Sequence, residues 1–172
     1  MSPPERESSD ENSAAAEASA LMEQLLAEEQ RLVFPRFDND TALALGMHLL
    51  AAARQSALPV TISVRRGTQR LFHAALPGTS ADNDAWLDRK SRVVDRYGNS
   101  SFYVGTSFRA RGSTFELSSR LDPDLYAAHG GVFPVLVASV GPVGTVGVSG
   151  LPQAEDHAFV AAQLTSFLAT LG

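Results

Sequence analysis

The chain has 172 residues, no cysteine, a hydrophobic fraction of 44% and a net charge of -5, with a pI near 5.3. That length supports one domain with a buried core, and the acidic balance argues against nucleic acid or an anionic membrane as partner. Without cysteine, disulfides, thiolate catalysis and thiolate metal sites are excluded, and no apolar run reaches the roughly 18 residues that span a bilayer.

Residues 1–16 are rich in Ser, Glu, Asp and Pro and are expected to form a disordered acidic tail, leaving a single domain over 17–172. The start of the chain has neither a basic segment nor an apolar run, so it does not read as a secretory signal. Together with the absence of cysteine, this points to the cytoplasm. Helical spacing begins at Ala18, Leu21, Met22 and Leu25, continues to Leu32, and should stop at Pro35. Asp38 or Asn39 can cap a second helix with Ala42, Leu45, Gly46, Leu49 and Ala53 on one face. Leu43, Met47 and Leu50 widen that face and suggest burial on more than one side.

Val60, Ile62 and Val64 alternate with Thr61 and Ser63, as a strand requires. A turn over Arg65–Gln69 and a second strand from Arg70 to Leu76 complete a hairpin. After the break at Pro77–Ser80, Ser80 or Asp82 can cap a helix with Trp86, Lys90, Val93 and Tyr97 on one stripe. Asp88 and Arg92 stand four apart there, a supportive helical spacing. Residues 99–117 fit either more helix or a loop feeding a strand near Thr114. Val132–Ser139 reads as a buried central strand, Val143–Val148 as its partner. Pro152 opens the last helix, with Glu155 and Asp156 favoured by the helix dipole. Its apolar face comprises His157, Val160, Ala161, Leu164, Leu168 and Leu171. Hairpins interrupted by helices favour an α+β fold with one antiparallel sheet covered by helices.

Four places are weighed as candidate binding groups. His129-Gly130-Gly131 precedes the central strand, and the two glycines permit close approach beside a potential imidazole ligand. Lys90 is a cation on an apolar stripe. It either snorkels to a rim or, with Arg89, holds an anion or carboxylate; Arg109 and Arg111 could join if the chain folds back. Gly144, Gly147 and Gly150 do not form a nucleotide loop, because the spacing differs and no Lys-Ser/Thr follows. They lie in a strand pattern and more naturally let another element approach the sheet. Asp156 and His157 are adjacent on a helix and point apart, so His157 reads as a core or interface residue. Gly147-Val148-Ser149-Gly150-Leu151 lacks the Gly-x-Ser-x-Gly elbow. No catalytic group and no metal site is assigned.

The segments Ala127-Ala128-His129-Gly130-Gly131-Val132-Phe133-Pro134, Val146-Gly147-Val148-Ser149-Gly150-Leu151-Pro152-Gln153 and Glu155-Asp156-His157, with Arg89-Lys90 and Ser100-Ser101 upstream, carry a resemblance to a known family. From about Ala18 to Gly172 the chain resembles the GlcG/HbpS-like, haem-degrading-type family, and within it the uncharacterised protein family 0303 branch. The resemblance implies a profilin-like sheet of about five strands with helices on both faces, and homo-oligomers built from dimers. Some members of the family bind haem; others accompany cobalamin or glycolate enzymes; a yeast cytosolic member is tied to the handling of tail-anchored membrane proteins. Three functions follow as expectations. The first is a non-catalytic oligomeric protein that holds a small anionic or carboxylate ligand on Arg89, Lys90 and His129, beside Gly130 and Gly131. The second is a haem-binding or haem-degrading protein with His129 as axial ligand. The third is an interaction protein acting through its assembly, suggested by Phe102, Tyr103, Phe108 and Phe159, for which the apolar stripes leave no partner.

Overall fold

The computed structural model describes the chain from Glu5 onward, with side chains from Asp10; residues 1–4 lie outside the described residues. Helix α1 spans Glu5–Glu29 and is followed by the short strand β1, Val33–Phe34. Helix α2 is Asn39–Gln55, and the hairpin β2–β3 is Thr61–Arg66 and Gln69–Ala75. Helices α3 (Ala81–Tyr97), α4 (Ser101–Ala110) and α5 (Phe115–Ser118) come next. Strands β4 (Val132–Val137) and β5 (Gly141–Ser149) precede helix α6, Gln153–Ala169. No helix among the described residues is long and apolar enough to cross a membrane.

The acidic segment expected as a tail is helical from Glu5. Alanine, the best helix former, fills positions 14–16, 18 and 20. Ala14, Ala15, Ala18 and Leu21 also border a groove against Arg109, Gly112 and Ser113 at the end of α4. At its other end α1 is tied down by charge. Buried Glu29 accepts the Ser100 N–H at 2.7 Å and Asn99 Nδ2 at 3.0 Å, which anchors it at the N-terminus of α4.

The five strands run in the order β1-β4-β5-β2-β3. Four are antiparallel to their neighbours, and β1 adds a parallel edge through Val33 with Leu136 and Phe34 with Val137. The expectation of a wholly antiparallel sheet is corrected by β1, a strand too short to leave a periodic signal. One sheet face packs on α2 and α6. Ala42, Leu45, Leu49, Ile62, Val64, Phe133, Val135, Val146, Val148, Val160, Leu164 and Phe167 form that core. The buried residues of α2 are the five read from its spacing, with Asp38 as cap accepting from the Thr41 N–H. Leu43 and Met47, however, are each 52% exposed. The helix has one buried side, not two.

The other sheet face packs on α3 and is built differently. Thr61, Ser63 and Thr145 are all buried, and strand alternation turns them away from the Ile62–Val64 core. Leu87 and Val94 meet Val132 there. The inward side of α3 is therefore Leu87, Lys90, Ser91, Val93 and Val94; Trp86 and Tyr97 lie towards its edges. Asp88 does not pair with Arg92. It turns to the sheet and meets Arg70 at 2.7 Å and Arg65 at 3.6 Å. The ambiguous stretch 99–117 is helical. Phe102 and Phe108 are buried in it, the latter against Phe115 and Tyr97. These aromatic side chains are core, which removes most of the apolar surface that pointed to a pure assembly protein.

Candidate functional site

A cavity of about 230 Å³ opens where the N-terminal half of α3 faces the β5–α6 turn. Asp82, Asn83, Trp86 and Lys90 come from α3, Ser149–Leu151 from the end of β5 and the turn, Gln153 and Asp156 from α6, and His129 from the loop before β4. Ser80 caps α3 and forms a reciprocal capping box with Asn83. This fixes the start of the helix that carries Asn83, Trp86 and Lys90.

The floor is an ion pair. Lys90 Nζ donates to Asp156 Oδ2 at 3.0 Å and to the Val148 carbonyl at 3.4 Å. The two side chains are only 4% and 2% exposed. Asp156 Oδ1 accepts the Leu151 N–H at 3.0 Å and so staples the β5–α6 turn. Burial drives Lys90 below the usual ammonium range; the Asp156 charge and hydrogen bond oppose this. Burial likewise raises the Asp156 carboxyl against the pull of Lys90 and the Leu151 N–H. Gly131 is the seat of the pair. A side chain there would meet Lys90 Nζ at 2.7 Å and the Val148 carbonyl at 2.6 Å.

The sequence candidates thus separate. Lys90 neither snorkels nor stands alone, since its charge is matched by a carboxylate 66 residues away. Arg89 is not among the residues that line the cavity; its guanidinium lies 4.0 Å over the Trp86 ring, a cation–π contact. His129 packs edge-on to Trp86, 5.2 Å between centroids, and its Nε2 is 3.7 Å from Glu116 Oε1. Its side chain is 43% exposed. The Gly130 N–H donates to Gln153 Oε1 at 3.1 Å, so Gly130 serves to hold the loop on α6. Arg109 lines a neighbouring cavity with His129, while Arg111 stacks 4.4 Å over Phe108 and takes no part. His157 is buried against Phe133 at 4.5 Å and hydrogen-bonds Glu28 at 2.7 Å. Asp156, which the sequence offers as a dipole-favoured residue of the last helix and a neighbour of His157, is the residue that spacing alone could not place. Among the described residues no group of acidic and histidine side chains is arranged to hold a metal.

Burial holds the His129 imidazole below its usual pKa; Glu116 opposes this, and the positive charges of Lys90, Arg109 and Arg89 add to it. Because the folded-state value is depressed, its stabilising contribution is present above the unfolded pKa and is lost as pH falls through the folded one. Trp86 is the sole tryptophan, so its emission reports this change. As pH falls, the emission should drop through a midpoint below about 6.5, when imidazolium forms beside the indole. A His129→Gln chain whose emission fell in the same way would remove His129 as the cause.

A family model described as haem-degrading protein HbpS-like matches residues 37–165. The UPF0303 protein of Streptomyces avermitilis is 60% identical over 84% of this chain and 89% of its own. That of Streptomyces coelicolor is 61% identical over 84% and 92%. The chain belongs to the HbpS-like family. Among solved structures, the yeast protein Ybr137w shares 30% identity over 87% of this chain and 88% of its own, with a TM-score of 0.80. HbpS itself (18%, covering 80% and 91%, TM-score 0.60) and PduOC in complex with heme (16%, covering 76% and 94%, TM-score 0.61) share the fold. The α+β architecture of this HbpS-like chain agrees with the one the resemblance implied.

Proposed function

We propose that this HbpS-like chain is a non-catalytic binding protein that takes a small ligand in the Trp86–His129 cavity. The observation that carries this reading is the buried Lys90–Asp156 pair bordering that cavity. An ammonium group has three N–H donors, and Lys90 uses two of them, on Asp156 and Val148. The remaining donor favours a ligand with an acceptor oxygen, and in the narrower form a carboxylate. Arg89, stacked on the Trp86 ring, adds a second cation nearby. Pockets for drug-sized ligands run about 300–1,000 Å³; at about 230 Å³ this one suits a molecule of a few heavy atoms. The outward Leu43 and Met47 of α2, each 52% exposed, favour burial between copies of the chain. A scattering mass of one 18.3 kDa chain would end that part of the reading.

A second reading is haem binding, favoured by His129 alone. Its depressed pKa keeps the imidazole neutral near pH 7, the form that ligates iron, and its side chain is accessible. The cavity cannot enclose a haem, so the macrocycle would lie against the rim. One experiment addresses both. The chain is titrated with short carboxylates, their amide counterparts and hemin, following melting temperature, Trp86 emission and the Soret band. A ligand at about 100 Kd adds about 2.7 kcal/mol to stability. Carboxylates should raise the melting temperature and shift Trp86 emission, with both effects weakened by Arg89→Ala. If amides act equally well, the carboxylate form fails; if nothing shifts either signal, the binding reading fails. A Soret shift lost in His129→Ala would instead select haem.

A further inference from the structure

Behind His129 lies a second, smaller cavity of about 150 Å³, lined by Gly105, Arg109, Thr114, Phe115, Glu116, Ala128, His129 and Gln153. His129 and Gln153 border both cavities and form the wall between them. Two opposite charges face this smaller space. Arg109 donates to Thr106 Oγ1 at 2.7 Å, which leaves most of its five N–H groups without an acceptor among the described residues. Glu116 is half exposed, and among the described residues its one charged neighbour within 4 Å is His129, at 3.7 Å. Among the described residues no ion pair joins Arg109 to Glu116, although each lines the same cavity. The rest of the lining is small or apolar: Gly105, Ala128 and Phe115. Gly105 admits nothing larger, because a side chain there would strike the Ala128 carbonyl.

The charge balance decides the ligand class. A simple anion on Arg109 would lie near an uncompensated Glu116 carboxylate. A simple cation on Glu116 would face the Arg109 guanidinium. A molecule with both charges satisfies both walls, with its carboxylate on the planar guanidinium fork and its ammonium on the carboxylate. We infer that the Arg109–Glu116 cavity is a separate binding site for a small zwitterion of the α-amino-acid type, distinct from the carboxylate site around Trp86. The short apolar wall limits the side chain of that molecule to about a methyl group. Burial also keeps the Arg109 guanidinium below its usual pKa, opposed by Glu116; this reflects a cation held partly out of water without a full set of partners.

The test uses the full chain and three probes: L-alanine, acetate as the anion alone and methylamine as the cation alone, each followed by calorimetry and ligand-observed NMR. L-Alanine should bind, with acetate and methylamine weaker by about tenfold or more, since each forfeits one charge-assisted contact. Arg109→Gln and Glu116→Gln should each weaken L-alanine by about the same factor. Asp82→Asn, at a residue that lines the larger cavity and not the smaller one, should leave it unchanged. Acetate binding as tightly as L-alanine, and weakened by Arg109→Gln, would make the site a plain anion site and overturn the inference. So would no L-alanine binding by the wild-type chain, or binding insensitive to both charge variants. Loss of L-alanine in Asp82→Asn would move it to the larger cavity, overturning this inference while leaving the proposed function standing. Absence of L-alanine binding is read on the unaltered chain and does not depend on any variant folding.

Discussion

Lys90→Met should cost the protein about 3–5 kcal/mol, because it leaves the Asp156 carboxylate buried without its counter-ion. Asp156 is 2% exposed on its side chain, so solvent does not screen the loss. Asp156→Leu should cost a similar amount. It strands the Lys90 ammonium and also removes the acceptor of the Leu151 N–H, whose desolvation is worth about 1–3 kcal/mol. The double variant Lys90→Met/Asp156→Leu should recover most of the sum, since no charge then remains in the interior. What persists should be the Leu151 N–H penalty of about 1–3 kcal/mol. Denaturant unfolding of the four chains gives the coupling energy directly. Single-variant costs that simply add in the double would show that the two groups do not act as a pair.

The same cycle has a pH signature with opposite signs in the two single variants. In Lys90→Met the Asp156 carboxyl, already raised by burial, rises further. The folded state then holds a proton that the unfolded state has released. Its stabilisation is present at low pH and is lost as pH rises through the folded pKa, so this variant should be firmer at pH 5 than at pH 7. In Asp156→Leu the Lys90 ammonium, already lowered by burial, falls further. Its neutral form is favoured by folding, so this variant should gain stability as pH rises above its folded pKa. The wild-type chain carries both charges and should show neither trend strongly near neutrality. Two parallel pH profiles in the single variants would contradict the assignment of the pair.

Much of the scaffold was legible because burial on one side leaves a period in the sequence. The face Ala42, Leu45, Gly46, Leu49 and Ala53 is read straight from its spacing and is the buried face of α2. The hairpin, the central strand and the Pro-started last helix were equally plain. The order of elements gives the α+β class, and the resemblance adds the five-strand layout and the family. What stayed hidden was non-periodic. Strand β1 has two residues and exists only because Phe34 is taken into the core beside β4. Helix α1 begins early because alanine contributes propensity without adding an apolar stripe. The site was half legible: Lys90, Arg89 and His129 were marked by type, and all lie at or beside one cavity. Their relation was not, because the sheet and α6 bring Asp156 to Lys90 across 66 residues. Helix geometry shows Asp156 and His157 pointing apart, but not where Asp156 goes. Along the helix the two diverge, one into the ion pair and the other onto Phe133.

Gly131→Ala is the substitution expected to disrupt this site most while removing no functional group. Two costs fall on one added methyl. The backbone at Gly131 has φ +130, a region that side chains enter at a cost of about 1–3 kcal/mol. The methyl would also lie 2.6 Å from the Val148 carbonyl, 2.7 Å from Lys90 Nζ and 3.0 Å from Asp156 Cβ. Overpacking of this kind costs a further 1–3 kcal/mol or so, and here it presses on the ion pair itself. The total should be about 2–6 kcal/mol. Gly98 provides the control. It ends α3 at φ +75 with open space where its side chain would be, so Gly98→Ala carries the backbone cost alone. The difference between the two variants isolates the close approach to Lys90 and Asp156. It should shrink when Gly131→Ala is placed in the Lys90→Met/Asp156→Leu background, where the flexible methionine can yield and no charge is displaced. If Gly131→Ala cost no more than Gly98→Ala, the glycine pair before β4 would be serving the turn of the chain and not the seat of the ion pair.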